Sequence, residues 1–565
     1  MDNQIEEEDY KLADAGSVAK RIEPYEWPFW KKILIFLSIG VFLVIILVIV
    51  IILTNSKDKE IEDKEAEENI DEESVLGNII CQYSIDRTNE KINILNPDFH
   101  VDEDSIDIAV DDKKIKFSKD YKFPKVGKFK IRFALFSKQM NLDNMFKGIQ
   151  SLENVSMSSE KNMKITSMIS TFEDCSNLIS WNMKGFDISQ VKSIHKLFYG
   201  VKDLPSVNLD IFKDNNIEDM SYLFANTNIE NLDFTNFQTS KVKNMSHMFE
   251  GYSFSLDLNN FDTSSVEDMS FMFADDESMN QLIITNFVTS NVKNMSHMFS
   301  GCMGLYELNI LKFDTSNVED MSYMFENCNL LKNLDLSNFN TEKVKTMEGM
   351  FRFVNNMEQL DLTSFRTSNV YNFSCMFQSC GSLEKLDLLD FDTTNAEDMS
   401  YMFDFCSSLY DLKISKFETS QVKSFEGMFC NCIRLSELSV SSFNTKSATT
   451  MESMFESLSG LTSLDVTHFE TDNVKSFKNM FEGCSGLKQL DVSKFKTGNV
   501  EDMSAMFQYC TSLLYVDVTN FDTSKVTDMS QMFQRCISMK EINVGNFKTS
   551  LVTDMSQMFD QCSSI

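Results

Sequence analysis

At 565 residues with 42% hydrophobic side chains, the chain holds enough apolar material for a large core. Its formal net charge of −33 excludes a nucleic-acid binder, because phosphate contacts need clustered lysine and arginine. Phe (49), Met (35) and Cys (13) are abundant while Pro (5), Trp (3) and His (5) are scarce.

Residues 1–32 form a short charged tail with no periodic apolar pattern, read as cytoplasmic. Residues 33–53, from Ile33 to Leu53 (ILIFLSIGVFLVIILVIVIIL), carry no charge. A helix of that length rises about 30 Å, the thickness of a hydrocarbon core. Trp27, Phe29 and Trp30 precede it where interfacial aromatics are expected. The run is too long for a cleaved signal peptide and no small-residue cleavage site comes after it, so it predicts a transmembrane signal-anchor helix. Lys20, Arg21, Lys31 and Lys32 before the span place the N-terminus in the cytoplasm and the rest outside. The expected setting is thus single-pass, in the plasma membrane or another secretory-pathway membrane, with the C-terminal part extracellular. Residues 54–77 are dense in charge and predict an acidic stalk, disordered or partly helical.

Residues 78–145 change character. Ile106, Ile108 and Val110 alternate with polar residues, DDKK predicts a turn, and Phe129, Ile131, Phe133 and Leu135 resume the period of two. This predicts a β-rich cap over the first edge of a repeat array.

Residues 146–565 form that array, of about sixteen 26-residue turns. Phe299, Phe325, Phe351, Phe377 and Phe403 fall 26 apart, and only the steps from Phe224 to Phe249 and from Phe249 to Phe273 are shorter. FDTSNVEDMSYMFENC at 313–328 returns as FDTTNAEDMSYMFDFC at 391–406 and FDTSKVTDMSQMFQRC at 521–536. In one unit, Leu331, Leu334 and Leu336 have LxxLxL spacing and predict a short strand. Val318, Met321, Met324, Phe325 and Cys328 recur at three or four and predict one apolar face of a short helix. Neither face can be buried alone, so the units must stack around a shared core.

The pattern LxxLDLSxFDTSxVxDMSxMFxxC, from about Asn144 to Ile565, resembles the leucine-rich-repeat class. Within that class it is similar to BspA-type surface proteins of bacteria and unicellular eukaryotes, in their 26-residue Mycoplasma-type form. The resemblance implies an α/β repeat solenoid, with parallel strands on one face and short helical turns on the other. It also implies display at a cell surface for adhesion or protein binding, and it carries over no catalytic residue.

Several positions recur as columns. Thr from 239 to 549 reads as a turn hydroxyl bonding backbone, Met as core, and Cys (Cys302, Cys328, Cys380, Cys406 and onward) as mostly buried thiols with some disulfides as the alternative. Asp335, Asp361, Asp387, Asp465, Asp491 and Asp517 lie between inward strand residues and should point out of the sheet, either as a solvated face or toward a basic partner or divalent cation. Asn333, Gln359, Lys385, Gln489 and Tyr515 share a neighbouring outward column that varies from unit to unit. These eleven residues are the predicted partner-binding face. Asn154, Asn244, Asn294 and Asn372 open N-x-S sequons for N-glycosylation in a secretory lumen. His247 and His297 share a column expected to face solvent.

No nucleophile elbow, phosphate loop or HExxH motif occurs, and the constant spacing leaves no room for an inserted catalytic domain, so no enzyme, cofactor or metal is expected. The expected function is a membrane-anchored, surface-displayed binding or adhesion protein. Its partners would be a protein or cell-surface ligand, the membrane through Ile33–Leu53, and a second copy at the open C-terminal edge. The alternative is a structural coat element assembling laterally or end to end.

Overall fold

The computed structural model describes residues 69–88 and 90–565, together with the isolated helical position Val44. The expected tail, membrane span and most of the stalk lie outside the described residues. Among the described residues no helix is long and apolar enough to cross a membrane. The region from Ile70 onward forms one compact unit.

A six-stranded sheet begins this unit, in the order 180–184, 152–158, 77–85, 127–135, 106–110, 113–115. Asp111 and Asp112 both have positive φ (47° and 67°), the type I′ turn that matches the strand twist of a two-residue hairpin. Strand 152–158 is the hinge of the architecture. It pairs antiparallel with 77–85 and parallel with 180–184, and from there onward the pairing is parallel. The sheet therefore runs beyond residue 145, the expected end of the cap. Residues expected in the stalk also dock on it: Arg132 donates through both terminal nitrogens to the Glu72 carboxylate (2.5 and 2.7 Å), and Ser159 Oγ donates to the Leu76 carbonyl at 2.8 Å.

Beyond this sheet the array is a β-solenoid of about 15 turns. In the coil around Phe325, the side chains of Val318, Met321, Met324, Phe325, Cys328, Leu331, Leu336 and Phe339 are all buried. The column phenylalanines lie nearly parallel down the axis. Phe325 sits 5.7 Å from Phe351, Phe377 5.8 Å from Phe403, and Phe403 5.6 Å from Phe429. Such offset stacking adds to the burial of large apolar faces.

The expected helical turns are not helices. Among the described residues the helical elements are two 3-10 turns, Glu103–Ser105 and Asp210–Phe212, besides Val44. The MSxMFxxC segment is a run of overlapping reverse turns. Met324 N–H closes onto the Met321 carbonyl, Glu326 onto Tyr323 and Cys328 onto Phe325. The first and third turns place positive φ at their third residue (Tyr323 at 55°, Asn327 at 57°), the type II signature. Meanwhile the N–H groups of Met321, Tyr323, Phe325 and Asn327 donate to Thr346, Glu348, Met350 and Arg352 of the next coil. An α-helix would turn every N–H back along its own axis; here alternate ones cross between coils. Parallel bridges continue on this side too, as Asn294–Asp320, Asp320–Thr346 and Thr346–Asn372.

Two glycines show how closely the coils approach. A Cβ on Gly427 would sit 2.4 Å from the Tyr401 ring, and one on Gly349 2.3 Å from Tyr323. Each tyrosine lies across the glycine of the next coil and donates its hydroxyl to the preceding glutamate, Tyr323 to Glu348 Oε1 at 2.5 Å and Tyr401 to Glu426.

The threonine column is structural. Thr341 Oγ1 donates to the Arg366 carbonyl at 2.9 Å and accepts from the Arg366 N–H at 2.7 Å, and the same pair of bonds joins Thr263 to Val288 and Thr289 to Asp314. Thr341→Val keeps the shape and orphans both backbone groups. It is expected to cost about 1–2 kcal/mol by urea denaturation, with Thr341→Ser nearly neutral. Equal stability of the valine variant would refute the clamp.

Candidate functional site

The outward face of the short strands comes from their alternation. Leu386 is buried while Lys385 and Asp387 on either side are exposed, and Lys385, Leu386 and Asp387 pair in parallel with Asp411, Leu412 and Lys413. Repeated coil after coil, this puts one polar residue of each outward column beside its copies. The face carries two troughs of about 830 and 940 Å³. The first gathers Asn333, Asp335, Gln359, Asp361, Lys385 and Asp387; the second gathers Asp465, Gln489, Asp491, Tyr515 and Asp517. All eleven predicted face residues thus line one or the other, and the coil at 438–441 closes one end of the second.

The aspartates have a local job that spacing alone does not reveal. Asp335 Oδ1 accepts from the Ser337 N–H, Asp465 Oδ1 from Thr467, Asp491 Oδ1 from Ser493 and Asp517 Oδ1 from Thr519, each at 3.0 Å. Asp361 and Asp387 bond Thr363 and Leu389 in the same way. These are Asx turns ending the strand. The hydroxyls of Ser337, Thr467, Ser493 and Thr519, and then their N–H groups, hold the Asp335, Asp465, Asp491 and Asp517 carboxyls below the usual carboxylate range; the Thr363 N–H and then its hydroxyl do so for Asp361, and the Lys413 ammonium first for Asp387. The face is therefore ionised at neutral pH.

The two troughs differ in charge. In the first, Lys413 Nζ pairs with Asp387 Oδ2 at 2.8 Å, and Lys385 contributes a second cation. The second has three carboxylates and no lysine or arginine in its lining. Its apolar part is Tyr515 and Leu514, 47% and 37% exposed, over the nearly buried Leu464 and Leu490.

The opposite edge holds residues whose roles the sequence did not disclose. His247 and His297 point outward, as expected, but are not freely solvated. They are half-buried in a continuous stack running Tyr222, His247, Phe271, His297, Tyr323, with ring centroids 4.0, 4.4, 4.1 and 4.7 Å apart. All five occupy the positive-φ position of their turns, which throws the side chains outward in register. Burial lowers the His297 pKa against the pull of Glu326 and Asp320. A polar ladder runs beside the stack. Ser300 Oγ donates to Glu326, Arg352 donates to both Glu326 and Gln378, and Gln378 Nε2 donates to Asp404. Further along, Glu482 is pushed up to about 7, by burial and then by the neighbouring Glu456. A signal for both columns was present, since each is a fixed offset from the column Phe, yet their residue types vary too much to suggest one task.

The cysteines of the column are free and mostly buried. The Cys328 thiol donates to the Phe299 carbonyl and that of Cys406 to Phe377, both at 3.1 Å, so each ties its coil to the one before. Burial pushes Cys328 up to about 12, far from a reactive thiolate. Among the sequons, Asn154 Nδ2 donates to Gln82 Oε1 at 2.8 Å within the six-stranded sheet, and Asn372 Nδ2 donates to Glu348 at 3.0 Å. Asn244 and Asn294 accept from the Ser246 and Ser296 N–H groups as turn caps on the second bridge ladder.

The sequence profile described as Mycoplasma protein of unknown function, DUF285, matches residues 121–237, 218–332, 303–411, 382–490, 405–512 and 487–565. No curated protein matches the chain. Three solved structures show likeness at low identity. A leucine-rich repeat protein from Eubacterium ventriosum is 14% identical over 58% of this chain and 90% of its own, with a TM-score of 0.34. The Drosophila Toll–Spätzle complex is 17% identical over 63% of this chain and 49% of its own (TM-score 0.20). The functional domain of InlJ from Listeria monocytogenes, which includes a cysteine ladder, is 13% identical over 64% and 74% (TM-score 0.18).

Proposed function

The chain belongs to the DUF285 family of Mycoplasma proteins of unknown function, and we propose that it is a membrane-anchored, BspA-like surface protein that recognises a protein ligand through the outward sheet face of its solenoid. The single observation that carries this is the contrast within one coil. Leu386, Phe391 and Met399 point to a core that every coil repeats, while Lys385, two coils from Asn333, varies freely beside the Asp column on an open face. A surface whose frame repeats and whose exposed column changes suits recognition of one irregular partner. The uncharged segment 33–53 and the lysines before it support anchoring with the N-terminus in the cytoplasm and the array outside. The constellation proposed is one of binding and not of turnover.

The test is binding of the full-length chain, purified in mild detergent, to a panel of extracellular-matrix and cell-surface proteins. Saturable binding that falls about tenfold or more in Gln359→Arg or Gln489→Arg, and stays within twofold in Glu342→Arg away from that face, is the expected result. Filaments or sheets forming without any ligand, and indifferent to the face substitutions, would overturn it in favour of a coat element.

A further inference from the structure

The polar ladder beside the column phenylalanines is hydrogen-bonded in two runs. Ser300, Glu326, Arg352, Gln378 and Asp404 are joined side chain to side chain, with Arg352 Nε on Gln378 Oε1 at 2.6 Å and Gln378 Nε2 on Asp404 Oδ2 at 2.9 Å. Cys430 extends that run by bonding Asp404. Farther on, Gln508 donates to Gln534, and Gln534 donates to Asp560 at 3.0 Å. Between the runs stand Glu456 and Glu482, which among the described residues have neither a side-chain hydrogen bond nor an ion pair. Both are half-buried, while Cys430 before them and Gln508 after them are buried. The setting is a poor one for an ionised Glu482. Gln508 has turned its amide nitrogen away to Gln534, and on the other side Glu456 stands one coil back, a strand spacing of about 4.8 Å. Glu456 is the one charge that acts on Glu482; neither the exposed Lys478 of its own coil nor Glu452 of the coil before does so. The other titratable groups that sense the pair are the thiols of Cys430, Cys484 and Cys510, which burial keeps protonated.

We propose that Glu456 and Glu482 share a single proton, that the resulting carboxyl–carboxylate bond closes the ladder, and that release of the proton to solvent loosens this one coil interface. The proton supplies the donor that the step lacks, since two carboxylates only accept and a carboxylic acid donates. Burial, and then the charge of Glu456, raise Glu482 from its ordinary 4.5 to about 7, so the proton is held through the mildly acidic range and lost near neutrality. The unfolded chain gives it up near 4.5, so stability at this interface falls as pH rises from there to about 7 and is level above. Each coil touches only its neighbours, which confines the effect to the step between the coils of Phe455 and Phe481. That step also crosses the second trough, between Asp465 and Asp491. A pH-dependent outward face would follow, and this consequence alone rests on that face being the binding surface.

The readout is amide hydrogen exchange of the full-length chain in mild detergent, corrected for the intrinsic rate at each pH. A local readout is needed because buried Asp276, elsewhere in the array, also makes global stability depend on pH. Across the step, the N–H groups of Ser453, Phe455 and Ser457 donate to the carbonyls of Lys478, Met480 and Glu482. Their protection is expected to fall about tenfold between about pH 5.5 and pH 8. Over the same range Ala505, Phe507 and Tyr509, in the step closed by Gln508 and Gln534, should change less than about twofold. Glu482→Gln and, separately, Glu456→Gln each supply an amide donor with no titrating proton. In both variants the three amides should stay protected within about twofold across that range. Glu501→Gln, exposed on another column, should keep the native profile. A native profile that is flat at 453–457, or a fall that survives in both glutamine variants, overturns the shared proton. Protection restored at pH 8 by added calcium chloride overturns it too, in favour of a bound cation. None of these readouts needs a ligand, so failure of the shared proton and failure of the sheet-face reading are told apart.

Discussion

Phe403→Ala is expected to cost about 4 kcal/mol of folding stability, while Phe405→Ala, two residues away in the same coil, costs less than about 0.5 kcal/mol. Both residues belong to YMFDFC, and composition treats them alike. Phe403 is fully buried between Phe377 and Phe429, 5.8 and 5.6 Å away, so truncation opens a cavity shared by three coils. Phe405 is 53% exposed at a positive-φ turn position and loses little. Because each coil contacts only its neighbours, the loss should be local. Hydrogen exchange should show accelerated opening of the coils from 377 to 429 with those near 533 unchanged, and urea denaturation should split or broaden. Similar effects from the two substitutions would mean that the phenylalanine column is not the core of the stack.

Asp276→Cys is expected to stabilise the fold by about 2–3 kcal/mol at pH 8 and by clearly less at pH 4.5. Asp276 stands in the cysteine column next to Cys302, fully buried, with neither carboxyl oxygen hydrogen-bonded. Burial pushes its pKa well above the usual carboxylate range. The unfolded chain therefore releases this proton near pH 4 while the folded chain retains it, so stability falls as pH rises from there toward the folded pKa. Cysteine has no such titration in that window, and its thiol should reach the Phe249 carbonyl as Cys302 reaches that of Phe273. The difference in melting free energy between variant and native chain, measured at both pH values, isolates this group from all others. A gain independent of pH would show that the carboxyl is ionised or solvated in the fold.

The repeat and its core positions were legible because a fixed offset from the column Phe marks each of them, and burial tracks those offsets through coil after coil. The outward aspartates and the variable column were legible from alternation in the strand. The features that escaped did so for physical reasons. The turns of MSxMFxxC share the three-and-four apolar spacing of a helix, and spacing reports only which side chains face inward, not where the backbone N–H groups go. Tyr323 and Asn327 at positive φ carry no glycine to announce the turn. The histidines at 247 and 297 looked freely solvated because their stacking partners, Tyr222, Phe271 and Tyr323, are about 25 residues distant in sequence. The Asx role of the aspartates was within reach, since a Ser or Thr stands two residues on at Asp335, Asp361, Asp465, Asp491 and Asp517.

By itself the sequence determined that this protein is an array of stacked coils with one phenylalanine, methionine and leucine core and one varied polar face, because a residue's periodic position decides whether water can reach it. Only the tertiary structure decided that the coils are joined by backbone hydrogen bonds on both sides, that threonine and cysteine bond backbone groups of adjacent coils, and that one trough sets two lysines among its four aspartates while the other has three aspartates and no lysine. Those outcomes depend on which atoms meet across the step from one coil to the next, and such meetings have no signature in the order of residues within a coil.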